Sequence, residues 1–212
     1  MPTNSKELQS LDIKKSMSDS IAETHPLPPF APPDAKLLML GSFPPPRARW
    51  KMDFYYPNFQ NDMWRIFGLV FFEDKDYFVE SGGKAFKEGL IRDFLYKKGI
   101  AISDTAHRVV RLQGNAADKF LQVVEPLDLA GLLAQMPRCD TVMTTGELAT
   151  DTLLELMPSA TAKPVIGGFR QAEFAGRALR LYRLPSSSRA YPLALAKKAE
   201  AYAAFFREIG LL

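Results

Sequence analysis

The chain has 212 residues, 27 Lys and Arg against 24 Asp and Glu, a formal charge of +3 and 47% hydrophobic residues. These values suit one globular domain with an extension and exclude a wholly disordered, collagen-like or coiled-coil chain. The single cysteine, Cys139, excludes an internal disulfide framework and four-cysteine metal sites; no run reaches the ~20 apolar residues of a membrane span, and the polar N-terminus lacks the apolar centre of a signal peptide, so a cytoplasmic location is expected.

In chain order, residues 1–24 are polar and aperiodic and read as a mobile extension, with a short helix expected over residues 5–17. Pro26, Pro28, Pro29, Pro32 and Pro33 then forbid a helix and predict an extended lead-in. Residues 1–33 are therefore assigned to an N-terminal extension and 34–212 to the folded domain. The run Leu37-Leu38-Met39-Leu40 before Gly41 predicts a buried strand. Met63, Trp64, Phe67, Val70 and Phe71 recur at helical spacing, as do Phe86, Leu90, Ile91, Phe94 and Leu95. A second strand is expected over 99–103, a short helix over 127–135 and a third strand over 141–144. A helix on Ala149, Leu153, Leu156 and Met157 follows, then an extra strand over 169–174 and one over 178–184. The last helix carries Leu195, Ala199, Tyr202, Phe206 and Ile209. The first three apolar runs do not alternate cleanly, which suits strands covered on both faces. Strands alternating with helices imply an α/β fold, a three-layer α/β/α sandwich around a mainly parallel four-stranded central sheet. In such sheets ligands bind beyond the C-terminal strand ends.

The first strand end reads Gly41-Ser42-Phe43-Pro44-Pro45-Pro46, followed by the basic and aromatic Arg47, Arg49, Trp50 and Lys51. Next comes Tyr55-Tyr56-Pro57-Asn58-Phe59-Gln60-Asn61-Asp62-Met63-Trp64, a polar and aromatic segment opening into a helix, where Asn58 or Asn61 could serve as an N-cap. Gly41, Ser42, Pro44, Tyr55, Tyr56, Asn61 and Trp64, in this order, resemble the uracil-DNA glycosylase superfamily, most closely its mismatch-specific and hypoxanthine-DNA glycosylase-like branches. The His25-Pro26 lead-in, the 99–104 strand and Leu184-Pro185-Ser186-Ser187-Ser188 are similar to segments of the same relatives. Phe43 stands where many members carry an acid or Asn, Pro45 replaces a usual Gly, and Pro57, Asn58 and Phe59 replace Ala, His and Pro. Thr145 stands where relatives often show Asn, and Arg189 where Pro is usual.

The resemblance implies a monofunctional DNA glycosylase that flips a deaminated or mismatched base from the duplex and hydrolyses its N-glycosidic bond. It assigns Asn61 the positioning of the attacking water, Tyr56 stacking on the base, and Gly41, Ser42, Phe43 and Thr145 the base pocket. Arg47, Arg49 and Lys51, with Ser186, Ser187, Ser188 and Arg189, flank the site where DNA phosphates would lie; Arg183 is close by. Asp104 and His107, just after the second strand, are further pocket candidates. His25 is expected outside the catalytic set. Two separated histidines and one cysteine give no metal spacing, phosphate-loop and dinucleotide motifs are missing, and neither metal nor cofactor is expected. A non-catalytic nucleic-acid-binding member and an α/β enzyme acting on a free nucleoside remain the alternatives.

Overall fold

A computed structural model describes residues 22–112, 118–158 and 161–212. The helix expected over 5–17 lies outside the described residues. Eight strands occur among the described residues: β1 (Glu23–Thr24), β2 (Leu37–Gly41), β3 (Ile100–Asp104), β4 (Ala106–Arg111), β5 (Leu121–Pro126), β6 (Thr141–Thr145), β7 (Gly168–Phe174) and β8 (Arg177–Leu184). The α-helices are α1 (Met63–Phe72), α2 (Glu88–Lys98), α3 (Leu129–Ala134), α4 (Glu147–Leu156) and α5 (Leu195–Glu208).

The central sheet has the order β3-β2-β6-β8-β7. β3, β2, β6 and β8 run parallel, the four strands expected, and β7 adds an antiparallel edge. β7 turns into β8 through Ala175-Gly176, both at positive φ (51° and 74°), the backbone twist that a two-residue hairpin needs.

Every residue of β2, β3 and β6 is buried, and alternate side chains serve opposite faces. Leu37, Met39, Ile100, Ile102 and Met143 pack with Trp64, Phe67, Phe94 and Phe206 of α1, α2 and α5. Leu38, Leu40, Ala101 and Val142 pack with Leu132, Leu133, Leu153 and Met157, on or beside α3 and α4. This two-sided burial is why these strands read as apolar runs, and it makes the three layers. Gly99, at φ 66°, ends α2 and turns the chain into β3.

A second, antiparallel sheet of order β1-β4-β5 stands beside the C-terminal end of β3. Periodicity did not suggest it, because its partly exposed strands mix Arg, Gln and Glu with Val. It also corrects the expected domain boundary at residue 34. Glu23 and Thr24 pair with Val109 and Arg108, Phe30 pairs with Ile102, and Leu27 and Phe30 pack on the main core. The prolines stop this segment from coiling but leave its remaining N–H groups available for sheet edges.

Candidate active site

The parallel strands end side by side. Gly41 is in register with Asp104, and Thr145 with Leu184. Three inter-strand spacings, about 14 Å, separate β3 from β8 along this edge of the sheet. The carbonyl of Gly41 accepts from the backbone N–H and hydroxyl of Thr105 (2.8 and 3.1 Å), and that of Ser42 from Ala106 N–H (3.2 Å). The loop after β2 is thereby tied to the start of the second sheet.

On the β3 side, Asp104 is buried and its Oδ2 accepts from His25 Nε2 at 2.9 Å, with the two side chains only 8% and 6% exposed. The His25 ring stacks on Tyr55 and meets the Phe43 ring edge-on. Its Nδ1 lies beside the backbone of Leu27, accepting the N–H (3.2 Å) in the neutral ring or donating to the carbonyl (2.8 Å) in the imidazolium; in both states Nε2 donates to Asp104. The histidine meeting Asp104 is therefore His25 and not His107, which is exposed on β4 and holds the lead-in through its backbone, accepting from His25 N–H at 2.7 Å. The 79-residue separation of His25 from Asp104 left no spacing signal.

Gly41 has a steric reason to be glycine. A Cβ there would lie 2.3 Å from Asp104 Oδ1 and 3.0 Å from the Tyr56 hydroxyl. Tyr56 adopts φ 51°, an uncommon backbone for an aromatic. Its ring is half-buried and packs edge-on against Trp64, while its hydroxyl is buried without a hydrogen-bond partner among the described residues. Burial, then the charge of Asp104, pushes the Tyr56 pKa well above the ordinary phenol value, with Thr145 acting the other way. Thr145 is itself buried at the β6 end.

Ser42 donates to Asp118 Oδ1 at 2.8 Å, and Asp118 Oδ2 approaches Gly146, the N-cap of α4. Burial raises the Asp118 pKa above the usual carboxylate value; Asp104 adds to this and the Ser42 bond opposes it. Asp118 was not singled out from sequence, since nothing local marks it. Phe43 is buried against His25 with the Arg111 guanidinium over its ring, so its side chain belongs to the small cluster with Ala106, Val109 and Leu121.

On the β8 side, Asn61 is half-buried and forms an isolated bridge with Ser188. Its Oδ1 accepts from Met63 N–H at 2.9 Å, an Asx turn just before α1; the N-cap itself is Asp62, neither Asn58 nor Asn61. Arg65, in the first turn of α1, folds back and donates to the carbonyls of Phe59 and Asn61 (2.9 and 3.4 Å), its guanidinium over the Phe59 ring. Burial and then the Arg189 charge lower the Arg65 pKa.

Of the expected DNA contacts, Arg47, Arg49, Lys51 and Arg189 are exposed. Arg47 pairs with Asp53 at 2.6 Å and covers Trp50; Arg189 Nε donates to Asp62 at 2.9 Å. Arg183 is taken by Glu147. Ser186 and Ser188 are half-buried and accept local backbone N–H groups, whereas Ser187 is 1% exposed, so its side chain is packed and not presented to a ligand.

Among solved structures, this chain is similar to a solution NMR structure of a "putative Uracil DNA glycosylase" from Methanosarcina acetivorans. The identity is 22%, the TM-score 0.58, and the match covers 87% of this chain and 96% of that one. The two chains share a fold. No protein-family model and no curated protein matches this chain. Among the described residues no helix is long and apolar enough to cross a membrane, and no group of three or more His, Cys, Asp or Glu could hold a metal ion.

Proposed function

We propose that the chain is a monofunctional DNA glycosylase that hydrolyses the N-glycosidic bond of a deaminated or mismatched base. The fold it shares with the Methanosarcina protein supports this reading. The observation that carries it is the placement of Asn61. It lies bridged to Ser188 in the loop after β8, while Gly41, Tyr56 and the His25–Asp104 pair gather at the ends of β2 and β3.

In this reading a base leaves the stack at a cost of a few kcal/mol, least at damaged or mismatched pairs. It enters beyond the strand ends against the half-buried Tyr56 ring, with Gly41, Ser42, Phe43 and Thr145 lining its pocket through backbone or side chain. Asp104, fixed by His25, offers acceptor oxygens to a base edge. The C1′–N bond breaks with its electron pair leaving on the base. The amide of Asn61, whose Oδ1 is already anchored on Met63 N–H, orients a water whose oxygen forms the new bond to C1′ and whose proton passes to solvent. Arg47, Arg49, Lys51 and Arg189 meet phosphates, with Ser186 and Ser188 alongside the backbone. The mismatch-specific and hypoxanthine-type branches supply the substrates to try first.

The test is a screen of oligonucleotide duplexes carrying uracil, hypoxanthine, xanthine or a thymine mismatch, scored for the abasic product. Cleavage of at least one supports the reading. Binding without product would favour a non-catalytic DNA-binding protein, and release of base from free nucleosides alone would favour a nucleoside enzyme.

A further inference from the structure

The most deeply buried charge among the described residues lies outside the site described above. Lys198 of α5 is 1% exposed. Its Nζ donates to Asp62 Oδ2 at 3.2 Å and to the carbonyl of Ser188 at 2.7 Å. Asp62 is equally committed: its Oδ1 accepts from Arg189, and its backbone N–H donates to the Ser187 carbonyl at 2.9 Å. Four residues on along α5, hence on the same helix face, the buried Tyr202 hydroxyl donates to the Pro185 carbonyl at 3.0 Å. The loop after β8 is thus held at both ends from one helix, and in its middle by the residue next to Asn61.

Removing a lysine and an aspartate from water costs several kcal/mol, and their mutual attraction repays this only with good geometry and further hydrogen bonds. Such a pair is a poor source of net stability. What it does supply is a fixed relation between three segments distant in sequence. We propose that Lys198 is a positioning residue: through Asp62 and the Ser188 carbonyl it locks the 185–189 loop to the Asn61 segment, so that the loop facing DNA and the group orienting the water form one rigid unit. The catalytic half of this statement rests on the glycosylase reading; the mechanical half does not.

Lys198→Met keeps a long, unbranched side chain and deletes the charge. On the screened duplex that the wild type cleaves fastest, the single-turnover rate at saturating DNA should fall at least tenfold, with DNA affinity within threefold of wild type. Amide hydrogen exchange at Asp62 and Tyr191, whose N–H groups bond the Ser187 and Ser188 carbonyls, should quicken at least tenfold at temperatures well below the melt. Tyr202→Phe, which removes only the hydroxyl bond to Pro185, should move both readouts the same way by less, and it replaces Lys198→Met if that variant does not fold. Unchanged exchange at both amides overturns the proposal, as does a wild-type rate in a variant whose exchange has quickened. If the wild type cleaves no duplex in the screen, the glycosylase reading fails, and the exchange measurement still decides whether Lys198 couples the loop to Asn61.

Discussion

Replacing Asn61 by Ala removes two things at once, and the structure allows them to be sized separately. The bond from Met63 N–H to Asn61 Oδ1 is an Asx turn at the helix entry, and losing one such hydrogen bond costs about 1 kcal/mol. In a chain of this length that is a fall in Tm of roughly 2–4 °C. The amide that orients water is a preorganised polar group at the reacting centre, and deleting such a group costs about a hundredfold in rate or more, roughly 2.7 kcal/mol of transition-state stabilisation. Because the second interaction belongs mainly to the transition state, DNA affinity should change little. Asn61→Asp separates the two roles: a carboxylate accepts from Met63 N–H at the helix entry as well as the amide does, so Tm should return to wild type, while the altered charge and water geometry should keep the rate low. Single-turnover rates and thermal melts of the three proteins decide the matter. An Asn61→Ala protein with the wild-type rate ends the catalytic assignment and moves the search to Asp104 and His25; an Asn61→Asp protein with full rate and full stability reduces Asn61 to a turn residue.

Arg47→Ala with Arg49→Ala should weaken DNA binding and make its salt slope shallower by roughly 2 units, since each phosphate contact contributes about 0.9; the exposed Arg47–Asp53 pair is a weak competitor for phosphate, and an unchanged slope in a titration against salt would remove both residues from the interface. Asp118→Asn should stabilise the protein at neutral pH. Burial raises the folded-state pKa of Asp118 above the ordinary carboxylate value, so the folded state binds the proton more tightly, wild-type stability falls as pH rises through that window, and the gain in the variant should fade as pH falls towards the ordinary carboxylate range in a melt series. Gly41→Ala should cost on the order of 1–3 kcal/mol, because its Cβ would strike Asp104 Oδ1. The loss should shrink in an Asp104→Ala background, and equal losses in both backgrounds, measured by denaturant unfolding, would refute the steric account.

By itself the sequence determined the layers. Unbroken apolar runs such as 37–40 and 100–102 must be covered on both sides, and the 3.6-residue spacing of Trp64, Phe67 and Phe71 or of Tyr202 and Phe206 supplies the covering helices. The motif order also marked Gly41, Tyr56 and Asn61, because a strand end followed by an aromatic segment and a helix start is local information. The tertiary structure decided which distant residues meet. His25 reaches Asp104 across 79 positions, Asp118 reaches Ser42 across 76, and Lys198 reaches Asp62 across 136. None of these contacts has a spacing rule, because a charged or hydrogen-bonding side chain gains its partner only when packing removes both from water. The antiparallel β1-β4-β5 sheet was hidden for a related reason: its polar-rich, partly exposed strands are held largely by backbone bonds to one another, and backbone pairing leaves little mark on side-chain pattern.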